Sequence, residues 1–376
     1  SWSGVRVPEG PPLSSQNNRL SMNIRLITKL IFSFLEPRCI RGYLLLALLM
    51  WGATANVSAQ LEAVRLSHHW APLHTNTTFV NDFVSRLEKR SHGELQIIVY
   101  PSGQLFSIKD TSAGISTGSV QFGGVVSSYS FGSIDSNYFV ESLPYSYKSY
   151  EDMRGFLRNT PAEKSVWQSI LDKLDLILIA DIATGPIVTF STNVPLDSVD
   201  SYQGLKMRGV SQTDRIRGEV LGAESISLPT EEIFMALQSG MLNAVSTVPT
   251  AVKAYNWDAY LRHAQLPPYL FSDGHILANK QWFESLPSHL QTLILEVGSE
   301  ITAAATAEIM TQTEDLLDEF EEAGMTLHYL QPSEVTKLRQ ISTENIIPRL
   351  RNQVSPELLQ AVELRIRQNL SITPKE

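Results

Sequence analysis

The sequence predicts an α/β protein of two lobes joined by one long helix, and three observations carry that expectation. Helix and strand patterns alternate from about Leu61, and the alternation starts afresh after Thr184-Gly185-Pro186. Pro287 to Gly324 then offers 38 residues of helical character with no proline after the first, roughly 57 Å if unbroken and longer than one domain of this size. At 376 residues the chain is long enough for two domains. A hydrophobic fraction of 43% and a charged fraction of 18% lie near the globular average and exclude collagen-like, coiled-coil and wholly disordered classes.

The first 59 residues read as a leader. Tyr43 to Trp51 is a short apolar run, preceded by Arg38 and Arg41 and followed by small residues that end in Val57-Ser58-Ala59. That order is the n-region, h-region and cleavage site of an exported protein, with cleavage expected between Ala59 and Gln60. The run is well below the ~20 residues needed to span a bilayer. The single cysteine, Cys39, falls in the leader without the small apolar residues of a lipoprotein box, so no lipid anchor is expected. The remaining chain is then free of cysteine, which removes thiolate metal sites, disulfides and Cys-x-x-Cys redox chemistry. The leader carries six of the 30 cations and two of the 39 anions, so its removal takes the net charge from -9 to -13. An acidic, cysteine-free exported chain fits the periplasm and does not fit a nucleic-acid binder, which needs clustered Lys and Arg.

The elements follow in order. Leu61 to Ser67 reads as a strand, and Phe79, Val80, Phe83, Val84 and Leu87 recur at helical spacing up to Gly93. Leu95 to Tyr100 is a β-branched run that completes a βαβ opening. Ser119 to Val126 is a strand whose Gly123 and Gly124 permit close approach of another group. Thr160-Pro161-Ala162-Glu163 is a helix start with N-cap, N1 proline and capping box, leading into the apolar strand Leu176 to Ile182. The second unit reads as strands at Ile187 to Ser191, Leu205 to Arg208, Ser225 to Leu228 and Leu242 to Thr247, with helices at Ser211 to Leu221 and Thr230 to Ser239. After the long segment, in which Gly298 is a candidate kink, Thr326 to Leu330 reads as a strand and Pro332 to Leu350 and Pro356 to Leu370 as helices. The lobes are expected at 60–184 plus about 272–313, and at 185–271 plus about 314–376.

The common nucleotide-binding and zinc-protease motifs are absent: no G-x-x-x-x-G-K-[ST], G-x-G-x-x-G or H-E-x-x-H occurs. Ser67 to His74 holds three histidines in seven residues at the end of the first strand, either a ligand wall, a structural cluster or a metal site. In Gly204-Leu205-Lys206-Met207-Arg208 the strand period sends Leu205 and Met207 to one face and Lys206 and Arg208 to the other. Arg208 stands at the strand's C-terminal end before a helix, where α/β sheets bind ligands, and its guanidinium fork matches a carboxylate. A surface salt bridge is the competing reading.

These segments together resemble the solute-binding proteins of the tripartite ATP-independent periplasmic (TRAP) transporters, DctP type. The resemblance rests on RSHGELQIIVYPSGQL (Arg90 to Leu105), STGSVQFGG (Ser116 to Gly124), ESLPYSYKSYEDM (Glu141 to Met153), GLKMR (Gly204 to Arg208), LGAESISLPTEEIFMALQSG (Leu221 to Gly240) and LANKQWFESLP (Leu277 to Pro287), in the family's order. It implies the two-lobed periplasmic-binding-protein fold with a long helix spanning both lobes. It further implies a small organic acid held by its carboxylate on Arg208, no cofactor and no catalysis, and partners in the small and large membrane subunits of a transporter. By position His69, Trp70, Ser127, Ser128, Thr230 and Thr247 are expected to line the cleft.

Where many family members have Asp-Gly this chain has Asn243-Ala244, and Val188 and about Val126 replace an arginine and a glutamate of acidic-sugar binders. A monocarboxylate, oxo-acid or small dicarboxylate is therefore expected in preference to a sialic-acid-like ligand. The alternatives are the binding protein of an ABC importer or of a periplasmic sensor system, and a periplasmic hydrolase or isomerase in which His69 and Ser127 meet across the cleft.

Overall fold

The computed structural model describes residues 63–159, 165–209 and 211–370. The leader, its cleavage site, Cys39 and the Thr160 to Glu163 cap lie outside the described residues. The described part opens with β1 (Val64–His68), α1 (Thr75–Arg90), β2 (Ile97–Tyr100), α2 (Thr111–Ser116), β3 (Phe122–Val126) and α3 (Ser127–Ile134). A 3-10 turn at Ser136–Ser142 leads to α4 (Tyr150–Arg158), α5 (Val166–Leu174) and β4 (Leu176–Ser191). Next come β5 (Lys206–Arg208), α6 (Gln212–Val220), β6 (Glu224–Ile226), a 3-10 turn at Thr230–Glu232, α7 (Ile233–Ser239), β7 (Ala244–Thr247) and α8 (Pro249–Ala254). The chain continues through β8 (His263–Asn279), α9 (Lys280–Ser285), α10 (Ser288–Glu322), β9 (Thr326–Tyr329), α11 (Pro332–Ile341), a π-helical turn at Ser342–Ile346, α12 (Ile347–Leu350) and α13 (Pro356–Leu370). No helix among the described residues is long and apolar enough to cross a membrane.

All nine strands belong to one sheet in the order β2-β1-β3-β8-β4-β7-β5-β6, with β9 beside β8. Two long antiparallel strands, β4 and β8, run through its middle. The first half of β4 and the last half of β8 adjoin the parallel trio β1, β2 and β3. The last half of β4 carries β7, β5 and β6, and the first half of β8 carries β9.

The expectation of separate strands at Leu176 to Ile182 and Ile187 to Ser191 is corrected by this. Thr184-Gly185-Pro186 reads locally as a turn, yet it is absorbed as irregularity within one strand, with register shifts between Ala183 and Gly185 and between Ile187 and Thr189. Gly185 sits at φ +137, a region closed to side chains, which explains the glycine there. Other boundaries move by less: β3 starts at Phe122, β6 spans Glu224–Ile226 and β7 starts at Ala244. The described helix before β4 starts at Val166, where the Ser165 side chain accepts from the Gln168 amide. The expected helix from Pro332 to Leu350 is divided by the π-helical turn.

The five apolar positions of α1 all face inward, packing with Leu66, Phe122 and Ile179 of the sheet. α10 is an unbroken 35 residues, roughly 52 Å long. Its Leu290, Ile294, Val297, Ile301 and Ala305 belong to the core beside α1, whereas Leu317 and Phe320 belong to the core of Val188, Phe190, Ile233 and Trp257. One helix therefore braces both halves of the sheet. Gly298 does not break it: a Cβ there would stand 2.1 Å from the Ile179 carbonyl oxygen, so the glycine lets α10 lie directly on β4.

Candidate functional site

Arg208 ends β5, flanked in register by Ile226 of β6 and Val245 of β7. That central position buries a side chain which strand periodicity alone places on the same face as the exposed Lys206. Only 2% of Arg208 is exposed. Its Nε donates to the Leu228 carbonyl at 3.2 Å, and its two terminal nitrogens to the Tyr129 hydroxyl at 3.0 Å and Thr230 Oγ1 at 3.1 Å. The Tyr129 ring centroid lies 5.5 Å from the guanidinium carbon. These partners are all neutral, and among the described residues no carboxylate lies within 4.0 Å of it. A buried cation held this way has its fork oriented without having its charge cancelled.

Arg208 opens onto a cleft enclosing about 770 Å³ of space, its solvent-open mouth included. Of the seven residues expected at the site, His69, Trp70, Ser128, Arg208, Thr230 and Thr247 stand on the wall of this one cavity. Ser127 does not. It begins α3, where neighbouring residues point about 100° apart, and its hydroxyl turns inward to donate to Glu141 Oε1 at 2.7 Å while Ser128 faces the cleft. That bond also leaves the expected alternative of a His69 and Ser127 pair unformed.

Trp70 forms an aromatic floor, with the rings of His69 and His74 centred 4.8 and 6.3 Å from it. Gly124 makes room for it, since a Cβ there would meet the Trp70 ring at 2.3 Å. The three histidines are buried and neutral. Desolvation lowers His68 to about 4, and desolvation followed by the His68 charge lowers His74 to about 3. Burial, then His74, His68 and Arg208, keep His69 well below its ordinary value. His74 also accepts from the Asn76 amide at 3.1 Å and so caps α1.

The metal reading of this cluster is not supported by its geometry. Among the described residues the group with metal-like spacing is Asp181, Asp273 and His275. Its carboxylates are already matched: Arg154 binds Asp273 at 2.5 and 2.7 Å, and Arg158 binds Asp181 at 2.6 and 2.7 Å. With two guanidinium groups in place and His275 on Asp181 at 2.9 Å, the cluster is a buried ion-pair network pinning α4 to the two central strands.

Several functional candidates escape sequence reasoning. Tyr129, Glu141, Asp214, Tyr255 and Tyr269 also line the cleft. Behind it Arg217 donates to Ser246 Oγ at 2.6 Å and lies 4.2 Å over the Tyr269 ring. Burial opposes the Arg217 charge while Tyr269, Tyr202 and Asp214 favour it, and the balance is upward. The one sequence signal for Glu141 is a carboxylate flanked by the apolar Phe139-Val140 and Leu143. Val188, by contrast, is in the core, and Asn243 uses its side chain to accept from the Lys206 amide at 2.7 Å, holding β5 in place.

A two-halved α/β sheet braced by one long helix, with a cleft whose wall is neutral apart from a few charged groups, defines a solute-binding protein. The sequence profile of the bacterial extracellular solute-binding protein family 7, DctP, matches residues 66–347, and the chain belongs to that family, whose members are receptors of transporters and not catalysts. The C4-dicarboxylate-binding periplasmic protein DctP of Rhodobacter capsulatus is 26% identical over 325 residues, 83% of this chain and 95% of that protein. A Bordetella pertussis extracytoplasmic solute receptor binding pyroglutamic acid superposes with a TM-score of 0.72 at 19% identity, covering 81% of this chain and 99% of that one. The sugar acid binding protein of Advenella mimigardefordensis, in complex with galactonate, gives a TM-score of 0.73 at 17% identity over 82% and 98%. The two structural likenesses establish the fold.

Proposed function

We propose that this protein is the periplasmic solute-binding subunit of a TRAP transporter, capturing a small organic acid and delivering it to the small and large membrane subunits. Arg208 carries the reading. A buried guanidinium without a carboxylate partner is costly alone and becomes favourable when an anionic ligand supplies the missing charge. The curated relative's name and the ligands of the two structural neighbours, a dicarboxylate binder, pyroglutamic acid and galactonate, agree with that chemistry.

In this reading the lobes are 60–184 plus about 272–313 and 185–271 plus about 314–376, so that both crossings of the sheet occur where Gly185 pairs with Ser272. His69, Trp70 and Ser128 belong to the first lobe, Arg208, Thr230 and Thr247 to the second, and closure brings them around the acid. Water leaves on closure, and the Arg208 pairing strengthens as the effective dielectric falls. The chain is exported and its leader is cleaved near Ala59-Gln60. Family membership favours this over an ABC importer or sensor partner.

The test is mass spectrometry of ligand retained by the protein purified from the periplasm, with a thermal-shift screen of organic acids beside it. A retained carboxylate that raises the melting temperature supports the reading. A retained neutral or cationic solute, with no response to any acid, refutes it.

A further inference from the structure

The charge inventory around the cleft goes beyond the presence of Arg208. On the cleft wall Asp214 and Glu141 are the acids beside that one arginine. Asp214 is spoken for: its carboxylate accepts from the Ser211 amide at 3.3 Å, and its charge favours Arg217 one turn along α6. Glu141 is in a different position. It is 3% exposed, its Oε1 accepts from Ser127, and its Oε2 has no partner among the described residues.

Glu141 is also the partition between the cleft and a smaller pocket behind it, about 200 Å³ with its open side included, lined by Tyr138, Arg154, Arg158, Asp273 and His275. The cations of that second cavity are consumed. Arg154 is taken by Asp273 and Arg158 by Asp181, one to one. Among the described residues no Lys or Arg lies within 4.0 Å of Glu141. The groups facing it from the surrounding elements are Ser127 of α3, Asp273 and His275 of β8, Asp214 of α6, and the Tyr138 and Tyr147 phenols. None of these carries a positive charge free to balance a carboxylate. Burial therefore raises Glu141, the Ser127 bond opposes this, and Asp273 and Asp214 raise it further, to about 8.

We propose that Glu141 is a specificity-determining residue that limits the cleft to ligands bearing a single negative charge: one carboxylate on Arg208 and an uncharged polar remainder. This rests on the reading of Arg208 as the carboxylate site and names the substrate class within it. A monoanion cancels the Arg208 charge and closes the inventory. A second carboxylate would find no further free cation, since Arg217 behind the wall is already offset by Asp214, and it would oppose any ionisation of Glu141, so a dicarboxylate binds only by taking up a proton.

The experiment is calorimetric titration of the purified protein at pH 7 with matched pairs that differ by one charge: succinamate and succinate, glutaramate and glutarate, galactonate and galactarate. The monoanion of any responding pair is expected to bind at least tenfold tighter. Equal binding, or a tighter dianion, overturns the proposal and leaves the carboxylate function standing. No response to any pair removes both. From pH 7 to pH 9 the affinity for the responding monoanion should fall about tenfold as Glu141 ionises in the free protein, and in Glu141→Gln it should be flat over that range. An equal fall in the variant overturns the assignment. Should that variant not fold, wild-type titrations at pH 8 in two buffers of different ionisation enthalpy serve instead: uptake of about half a proton per monoanion supports the proposal, and none overturns it.

Discussion

Replacing Arg208 with methionine separates a ligand site from a structural arginine, because the two roles predict opposite pairs of outcomes. In the free protein the substitution removes three hydrogen bonds from the guanidinium, to Leu228, Tyr129 and Thr230. Each bond to a charged group nets about 1.5–3 kcal/mol, while burying a guanidinium with no counter-ion costs several kcal/mol. Methionine fills much of the same space, so the two effects nearly offset and the free protein should change by less than about 2 kcal/mol. Ligand binding should suffer far more. Truncating one partner of a buried, hydrogen-bonded charge pair costs about 2–5 kcal/mol, which is about 30-fold to about 5,000-fold in affinity. The readout is a melting curve with and without a responding acid. An acid at 100 times its Kd stabilises the wild type by about 2.7 kcal/mol, and a 30-fold weaker complex retains about 0.9 kcal/mol. A variant that responds to the acid as fully as the wild type would refute the assignment. A free-protein loss of about 3–5 kcal/mol with the ligand response intact would make Arg208 a structural ion.

Three further outcomes follow from the packing. His68 and His74 are lowered to about 4 and about 3 from an unfolded value of 6.5, so the stability they contribute is complete above pH 6.5 and is lost as pH falls through 4 towards 3, by several kcal/mol. Urea midpoints at pH 7, 5 and 4 should decline, less steeply in His74→Asn, which keeps the cap; identical slopes would exclude His74 from the effect. Gly298→Ala should destabilise by about 1–3 kcal/mol despite the better helix propensity, because its Cβ meets Ile179, whereas Gly155→Ala in α4 has nothing within 4 Å and should stabilise by up to about 1 kcal/mol. Melting temperatures that move together in these two variants would contradict the packing account. Asp273→Asn should cost about 3–5 kcal/mol by leaving Arg154 buried beside Asp181 at 3.8 Å alone, and a loss below about 1 kcal/mol would show that the network relaxes freely.

What was legible in the sequence is what depends on neighbours along the chain. The inward face of α1 is periodic in Phe79, Val80, Phe83, Val84 and Leu87, and the length of α10 follows from a segment without internal proline. Arg208 is legible because its place at a strand end before a helix is local. The continuity of β4 is not, since Thr184-Gly185-Pro186 has turn chemistry and only pairing with β8 and β7 keeps it in the sheet. Ser127 turns away from the cleft by one step of the helix from Ser128, a rotation that their proximity in sequence conceals. Tyr129 and Glu141 gain their meaning from residues 79 and 14 positions away, so no local pattern marks them.

The buried charges explain why one arginine differs from the rest. Arg154 and Arg158 each meet a carboxylate, and Arg217 rests on aromatic rings with Asp214 one turn away. The chain carries 39 acids against 30 bases, so an unpaired arginine is not imposed by a shortage of anions. Arg208 instead receives acceptors that orient its fork and cancel nothing, and the buried acid on the same cleft wall, Glu141, is held near neutrality by burial without a cation beside it. Pairing Glu141 with Arg208 would satisfy both groups and fill the site. Ser127 on one acid oxygen and Tyr129 on one guanidinium nitrogen, two residues apart in the first turn of α3, hold the two groups to separate partners. That turn therefore preserves an unsatisfied cation and a neutral acid in the same cleft, the combination that favours one negative charge in the ligand over two.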